Sequence, residues 1–374
     1  MLDTSLNILH TESSCGWGGQ EIRILTESQG MMKRGHKVTI LCCPHSNIYR
    51  EAQARGIAVV GLPIEKKRLS SLLALVGWLR QHGCAFDIIN THSSTDAWLV
   101  AVAGLILGKR VPPMVRTRHV STDINRSLTT RWLYMTATRH IATTGERLRQ
   151  QLHRDNRYPL SHMTSVPTGI DLSFYRQAAR QSARQTIGVP DRPTLGILAT
   201  MRSWKGHTYL LEAWQTLAKD FPDWQLLMVG DGPQRQALEQ QVASMGLADR
   251  VIFLGNRDDV PDCLNSMDLF VLPSYGNEGV PQSIMQAMAC GLPVVSTTVG
   301  AIDEAVVNEQ TGYLITPKDT ALLEQKLRQL MGDDALRAQF GEAALKRASE
   351  QFGADIMLDR MTTIFRNSLR STRS

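Results

Sequence analysis

Short apolar segments alternate with longer amphipathic segments along the chain. In the first half, the apolar runs predict strands over Leu6–His10, Lys37–Cys43, Ala58–Leu62, Ile88–His92, Met114–His119 and His140–Thr143. The segments between them carry apolar residues at helical spacing and predict helices over Gln20–Lys33, Leu69–Gln81, Ala97–Leu107 and Leu128–Thr138. Strands that alternate with helices favour a parallel sheet with helices on its faces.

The second half continues this alternation. Its predicted strands are Thr194–Thr200, Gln225–Val229, Val251–Leu254, Leu269–Leu272, Pro293–Ser296 and Tyr313–Ile315. Its predicted helices are His207–Lys219, Gln234–Met245, Gln282–Ala289 and Ala321–Leu330, and the chain after Gly332 is helical apart from a break near Phe352–Gly353. We therefore predict two doubly wound α/β domains, 1–172 and 173–354, joined at Val166–Asp171. Ligands of such sheets bind beyond the carboxyl ends of the strands, and tandem domains place them in a cleft.

Composition narrows the class of protein. The chain has 374 residues, of which 43% are hydrophobic and 20% charged, which fits two globular domains and excludes a disordered or collagen-like chain. The six cysteines form no CxxC pair. This spacing argues against a structural zinc site or a disulfide framework and favours a reducing cytoplasm.

The N-terminus and the longest apolar run indicate whether the chain carries a secretion signal or a membrane-spanning segment. The N-terminus has an acidic third residue and only a short apolar stretch, so we expect no secretion signal. The longest apolar run, Ala97–Gly108, is too short to cross a bilayer, which takes about 20 residues. We expect a cytoplasmic protein without an integral membrane segment.

Charge is distributed unevenly. Residues 1–172 hold 21 Lys and Arg against 12 Asp and Glu, a balance of +9, whereas the rest of the chain is at −3. The basic residues concentrate in Arg126–Arg157 and in Lys66–Arg68. Such a balance indicates an anionic partner, such as a membrane surface or a phosphorylated acceptor, although each cluster alone also fits a solvated face. Because no DNA- or RNA-binding motif accompanies the charge, we do not expect nucleic acid to be the partner.

Candidate ligand-binding residues follow several predicted strands. In the first half, Gly18 and Gly19 precede a helix and suit a close approach to phosphate, although a simple turn explains them too. Basic residues and histidines at the ends of the fourth and fifth strands can bind an anion or transfer a proton, namely His92, Arg116, Arg118 and His119.

The second half has three such loops. Arg202 and Lys205 lie on a loop that leads into a helix, and two cations at this spacing suit a diphosphate. Asp231 lies in the turn GDGP, where we expect it to face the cleft. Glu278 precedes a helix whose first amides, at Gln282 and Ser283, suit an anion, and Gln286 lies one turn further along.

These segments together carry a resemblance. The motifs RSWKG, VGDGP, VIFLGN, DLFVLPS, EGVPQSIMQAMACGLPVV and TGYLI occur in this order. With them the chain resembles a retaining glycosyltransferase of the GT-B fold, in the large family 4 that includes bacterial polysaccharide and lipopolysaccharide enzymes. The resemblance spans nearly the whole chain and implies two Rossmann-like domains facing a deep cleft. It also implies a last helix, about Asp355–Ser368 within the segment 355–374, that returns to the first domain.

The resemblance implies a role for each candidate residue. Glu278 matches the first acid of the E-x7-E motif, which contacts the donor sugar, and Gln286 stands where the second acid normally holds the ribose. Arg202 and Lys205 match the pair that neutralises the donor diphosphate, and His119 matches a histidine near the reacting carbon. The remaining implied contacts are the phosphate loop at Gly18 and Gly19 and the base contacts at Asn256 and Arg257.

The implied reaction is transfer of a sugar from a nucleotide sugar to a glycan or lipid-linked acceptor. We expect it to need no metal and no other cofactor, because Arg, Lys and helix amides can stabilise the leaving diphosphate and no Asp-x-Asp motif occurs in the candidate loops. The basic first domain predicts acceptor binding there, with peripheral contact to the anionic inner-membrane surface. Two alternatives stay open: a GT-B sugar-nucleotide epimerase, and a catalytically silent nucleotide-binding protein, which the glutamine at 286 raises.

Overall fold

The computed structural model describes residues 5–119, 122–276 and 278–370. It divides the chain into two compact units, one of Met1–Gly169 with Ala354–Ser374 and the other of Ile170–Gly353. The change-over lies at Gly169–Ile170 rather than after residue 172, because the Ile170 amide bonds to the Phe352 carbonyl and its side chain packs into the core of the second unit. Residues 371–374 of the predicted last segment lie outside the described ranges.

The first unit is built on a parallel sheet of seven strands in the order β3-β2-β1-β4-β5-β6-β7. The strands are β1 Asn7–Glu12, β2 Lys37–Cys42, β3 Ala58–Gly61, β4 Ile88–Thr91, β5 Met114–Arg118, β6 Thr138–Thr143 and β7 Met163–Ser165. The helices are α1 Gly19–Lys33, α2 Asn47–Ala54, α3 Leu69–His82, α4 Ser94–Leu107, α5 Leu128–Trp132 and α6 Glu146–Asn156.

The second unit has a parallel sheet of six strands in the order β10-β9-β8-β11-β12-β13. Its strands are β8 Thr194–Leu198, β9 Gln225–Val229, β10 Val251–Gly255, β11 Leu269–Leu272, β12 Val294–Thr297 and β13 Gly312–Ile315. Its helices are α7 Arg180–Ile187, α8 His207–Asp220, α9 Arg235–Ser244, α10 Val260–Asn265, α11 Gln282–Ala289, α12 Thr320–Gly332 and α13 Asp334–Gln351.

Burial explains the sequence pattern of the strands. Every residue of β9 and of β11 is buried, as expected when helices cover both faces of a parallel sheet. The prediction of two doubly wound parallel sheets is confirmed.

The last helix, α14 (Ala354–Arg370), belongs to the first unit. Its apolar residues recur at helical spacing and pack on the first sheet beside Ile8, Val38 and Val115; they are Met357, Leu358, Met361, Ile364 and Phe365. This is the placement that the resemblance implies.

One predicted helix is shorter than expected. The helix that begins at Leu128 becomes a π-helical turn over Leu133–Ala137, and Thr138 already belongs to β6. The Thr138 hydroxyl donates to the Leu133 carbonyl at 2.8 Å, which satisfies a carbonyl at the end of the turn. None of the helices in the described part of the chain is long and apolar enough to cross a membrane.

Candidate active site

Each sheet has a point where the strand order reverses, and the candidate residues follow the strands that meet there. In the first sheet β1 lies beside β4, and in the second sheet β8 lies beside β11. The connections leave these pairs in opposite directions, which opens a crevice at the carboxyl ends of the strands.

In the second unit, Lys205 and Glu278 form an ion pair. The Lys205 Nζ donates to the Glu278 Oε1 at 2.7 Å, and both side chains are mostly buried. Lys205 ends a short 3-10 turn after β8, and Glu278 lies on the loop after β11. The structure thus brings together two residues that the sequence predicts separately.

Two glycines allow the backbone to hold these residues. Gly206 has a φ of +80°, and a Cβ there would lie 2.0 Å from the Pro273 carbonyl oxygen. Gly300 has a φ of +60°, and its Cβ would lie 1.9 Å from the Glu278 carbonyl oxygen. Both glycines are therefore required by conformation and by space.

The other predicted diphosphate ligand, Arg202, has an exposed side chain. Its guanidinium lies 5.1 Å from the centre of the Trp204 ring. Trp204 also fixes the loop after β11, because its carbonyl accepts from the Tyr275 amide at 2.8 Å. Arg202 and Lys205 thus share one short loop, and Arg202 is free of any described carboxylate contact.

Three further predicted residues lie on the loops after β9 and β10. The Asp231 carboxylate accepts from the Gly232 amide and pairs with Arg235 at 3.2 Å, so it stabilises its own turn. Arg257 pairs with Asp259, with Nε 2.7 Å from Oδ1, while Asn256 is exposed. The expected roles at the base and the cleft stay predictions.

Helix α11 begins at Gln282, directly after Pro281, as the sequence predicts. Gln282, Ser283 and Gln286 are all half-buried on this helix. The first amides of a helix favour an anion, so this end of α11 suits a phosphate or a carboxylate. The contact of Gln286 with a ribose stays a prediction.

In the first unit, a buried carboxyl group supports the glycine loop. Glu12, at the end of β1, accepts from the Ser14 amide at 2.6 Å and from the hydroxyl of Ser93 and the amide of Gln20. Burial and the nearby Asp96 raise the pKa of Glu12 to about 8. This network ties the segment that carries Gly18, the residue before α1, to the start of α4.

Three histidines form a chain beside this loop. The His10 Nδ1 lies 2.9 Å from the His92 Nε2, and the His92 Nδ1 lies 2.9 Å from the His119 Nε2. They come from the adjacent strands β1, β4 and β5 or directly follow them. Burial, with a smaller effect of the Arg23 charge, lowers the pKa of His10 to about 3.

Arg116 and Arg118 occupy alternate positions of β5, so their side chains lie on one face of the sheet. Arg116 and Arg118 are buried, with the Arg116 guanidinium 4.6 Å from the Tyr134 ring centre and the Arg118 Nη1 3.2 Å from the Tyr134 hydroxyl. Among the residues that the structure describes, the Nε and Nη1 of Arg116 have no hydrogen-bond partner. Lys67 lies near them, with its Nζ 3.4 Å from the Ser94 hydroxyl at the start of α4.

Sequence reasoning missed the polar residues beneath this site. Arg23 and Glu27 on α1 are fully buried and lie 3.7 Å apart, and Glu27 contacts Asn90. Two sequence features indicate these buried polar residues. Arg23 and Glu27 lie one turn apart on the buried face of α1, and His10 lies within an otherwise apolar strand. Among the described residues, no group of three or more His, Cys, Asp and Glu side chains is arranged to hold a metal ion.

Two sequence families match the chain, one in each half. Residues 17–174 match the family described as Glycosyltransferase Family 4, and residues 192–333 match the one described as Glycosyl transferases group 1. Each half of the chain is therefore similar to a glycosyltransferase family. The two units have Rossmann-like parallel-sheet folds that match solved GT-B glycosyltransferase structures.

Two curated relatives are 30% identical to this chain over part of its length. They are N-acetyl-alpha-D-glucosaminyl L-malate synthase of Bacillus anthracis, over 217 residues, and the lipopolysaccharide core biosynthesis mannosyltransferase LpsB of Rhizobium meliloti (strain 1021), over 216 residues. These segments are 58% and 55% of this chain. The chain spans only 56% and 61% of the length of these two relatives.

A solved structure shows the same fold. The crystal structure of the Anabaena protein HepE in complex with UDP has a TM-score of 0.82 at 22% identity, covering 97% of this chain and all of that chain. A further structure of that protein is in complex with UDP-glucose.

Proposed function

We propose that this chain is a retaining glycosyltransferase that moves a sugar from a nucleotide sugar to a glycan or lipid-linked acceptor. The reaction belongs to the biosynthesis of bacterial lipopolysaccharide, capsule or another cell-surface polysaccharide. The observation that carries the proposal is the 2.7 Å contact between Lys205 and Glu278. It joins a cation suited to a diphosphate and a carboxylate suited to the sugar attached to it, at the reversal point of one sheet.

The leaving nucleoside diphosphate gains negative charge as the glycosidic bond breaks. Lys205 and Arg202 stabilise that charge, together with the amides at the start of α11. In the free protein the Lys205 ammonium is held by Glu278, so a bound diphosphate competes with the carboxylate for it. We infer that these groups neutralise the leaving group without a metal ion.

Glu278 acts on the sugar. As the bond to the diphosphate breaks, positive charge develops on the sugar ring, and a nearby carboxylate stabilises it. The acceptor hydroxyl attacks from the face that the diphosphate leaves, and its proton passes to an oxygen of the leaving phosphate. The configuration at the reacting carbon is thereby retained without a covalent intermediate.

The acceptor binds to the first unit in this proposal. In the described part of the chain, two nitrogens of the buried Arg116 guanidinium have no hydrogen-bond partner, and the positive charges of Lys67 and Arg118 lie nearby. Such a cluster suits an acidic group on the acceptor, such as a phosphate. The relative LpsB is named for lipopolysaccharide core biosynthesis, which supports an acceptor of this class.

Exposed residues on α3 are consistent with the proposed contact with a membrane. Leu69 and Leu73 are 70% and 60% exposed and lie one helical turn apart, directly after the basic segment Lys66–Arg68. Exposed leucines beside cations suit the interface of an anionic bilayer. We expect sedimentation with phosphatidylglycerol vesicles at low salt and loss of sedimentation in Leu69→Gln/Leu73→Gln. Equal recovery with phosphatidylcholine vesicles would refute this part.

A transfer assay tests the whole proposal. The protein is incubated with UDP-, GDP-, ADP- and TDP-sugars and with lipid-linked or lipopolysaccharide acceptors, with and without EDTA. We expect acceptor-dependent release of one nucleoside diphosphate, unaffected by EDTA, and a product with the anomeric configuration of the donor. Conversion of the donor without acceptor would indicate an epimerase, and binding without turnover a silent protein.

A further inference from the structure

The three histidines of the first unit form an unbroken chain of ring nitrogens. His10 and His92 are almost fully buried, whereas His119 is only half-buried. The ring centres lie 5.1 Å and 5.2 Å apart, and each neighbouring pair meets nitrogen to nitrogen at 2.9 Å. The inner end of this histidine chain is the His10 Nε2, which is buried and has no hydrogen-bond partner within the described ranges.

All three rings are neutral near pH 7. Burial is the main cause that lowers the pKa of each, and the positive charge of Arg23 acts on all three. Arg116 and Arg118 lower the pKa of His119 further.

Counting protons then leaves only two arrangements. A neutral imidazole has one N–H and one lone pair, and each nitrogen–nitrogen contact holds one proton. Three rings carry three protons, and two of these occupy the contacts. The third proton lies at one end of the chain, on either the His10 Nε2 or the His119 Nδ1.

The surroundings decide between the two ends. A proton on the His10 Nε2 would be a buried donor without an acceptor in the described part of the protein, close to the positive charge of Arg23, and both conditions are unfavourable. A proton on the His119 Nδ1 lies on a half-buried ring, where water or a substrate oxygen can accept it.

We propose that His10 and His92 lock His119 in its Nδ1–H tautomer, so that His119 offers a hydrogen-bond donor, and not a base, to an oxygen of the bound carbohydrate. His10 and His92 are positioning residues in this arrangement. The carbohydrate part of the inference rests on the proposed function, whereas the tautomer lock is a property of the first unit alone.

The 15N chemical shifts of the ring nitrogens, measured by NMR on protein labelled with 15N-histidine, distinguish the tautomers directly. We expect His10, His92 and His119 each to carry the proton on Nδ1, with assignments made from single-histidine variants. Protons on Nε2 in all three rings would overturn the lock, whatever the activity of the protein.

Substitution of His10 tests the link to catalysis. His10→Phe removes the donor at the buried end, so His119 populates both tautomers, and we expect kcat to fall about tenfold while KM stays within about twofold. His10→Asn places an amide N–H near the position of Nδ1 and is expected to restore both the tautomer and kcat.

His140→Phe is the matched control. His140 lies on β6 of the same sheet and contacts Thr164 rather than the chain of histidines. Equal kcat for His10→Phe and His140→Phe would overturn the lock's role in catalysis. The predicted tautomers in a protein without turnover on any nucleotide sugar would instead refute the proposed function and leave the lock intact.

Discussion

Lys205 holds Glu278 at 2.7 Å, across the loops that follow two adjacent strands, β8 and β11. The sequence separation of these residues is large, and only the strand order brings them together. A cation and a carboxylate in contact neutralise each other in the free protein, and a diphosphate ligand changes that balance.

Removing the charge of Glu278 separates catalysis from binding. Glu278→Gln keeps the shape of the side chain but removes the carboxylate that stabilises the sugar cation. We expect kcat to fall about 100-fold or more. The affinity for the nucleoside diphosphate is expected to rise, because Lys205 loses its competing partner. Steady-state kinetics and calorimetric titration measure the two effects, and a parallel loss of both would contradict the assigned role.

Gly300 tests the backbone that supports Glu278. Gly300→Ala places a Cβ within 1.9 Å of the Glu278 carbonyl oxygen at a positive φ, so the loop must move. We expect a loss of stability of roughly 2–3 kcal/mol with a loss of activity. Gly246→Ala is the control, because Gly246 has a φ of +69° but an added Cβ there would meet no described atom within 4 Å apart from its chain neighbours. We expect this variant to lose about 1 kcal/mol of unfolding free energy. Equal unfolding free energies for the two variants would contradict the steric argument.

The ribose contact of Gln286 is tested by restoring the acid of the motif. A carboxylate accepts two hydroxyl hydrogen bonds, whereas an amide accepts and donates. We expect Gln286→Glu to change the affinity for a nucleoside diphosphate by about three- to tenfold, while the affinity for inorganic pyrophosphate stays unchanged. An unchanged nucleoside diphosphate affinity would show that Gln286 does not contact the ribose.

The raised pKa of Glu12 makes the stability of the first unit depend on pH. Burial and Asp96 raise this pKa from 4.5 to about 8, so between these values the folded chain keeps a proton that the unfolded chain releases. The contribution of Glu12 therefore falls as pH rises through that window. We expect Glu12→Gln to gain about 4 °C in Tm over the parent between pH 5 and pH 8. The same substitution at half-exposed Glu51 serves as control, and a pH-independent difference for Glu12→Gln would contradict the buried network.

Much of the fold could be predicted from the sequence. The bounds of β9, β11 and α11 agree with the prediction, because their apolar residues are contiguous or recur at helical spacing between clear turns. The sequence does not predict the helices α2 and α6. Each buries only two residues, and its mainly polar composition is equally typical of a loop or a solvated charged segment.

The site was predictable only in part. Lys205 and Glu278 could be identified from local motifs, but their contact depends on the order of the strands. A histidine within an apolar strand marks His10 as unusual, but the contacts of His10 and of Glu12, both in β1, cannot be derived from the sequence. Their role comes from what the neighbouring strand β4 and the helix α4 place against them.

Titration of nucleoside diphosphates into the parent and into Lys205→Ala tests the central claim most directly. UDP, GDP, ADP and TDP are compared by calorimetry, with EDTA present, and exposed Lys219→Ala on α8 is the matched control. We predict that one nucleotide binds the parent and Lys219→Ala equally, and binds Lys205→Ala about 10- to 100-fold more weakly, as expected for a lost charge-assisted hydrogen bond. Equal affinity for the parent and Lys205→Ala would contradict a diphosphate site at Lys205.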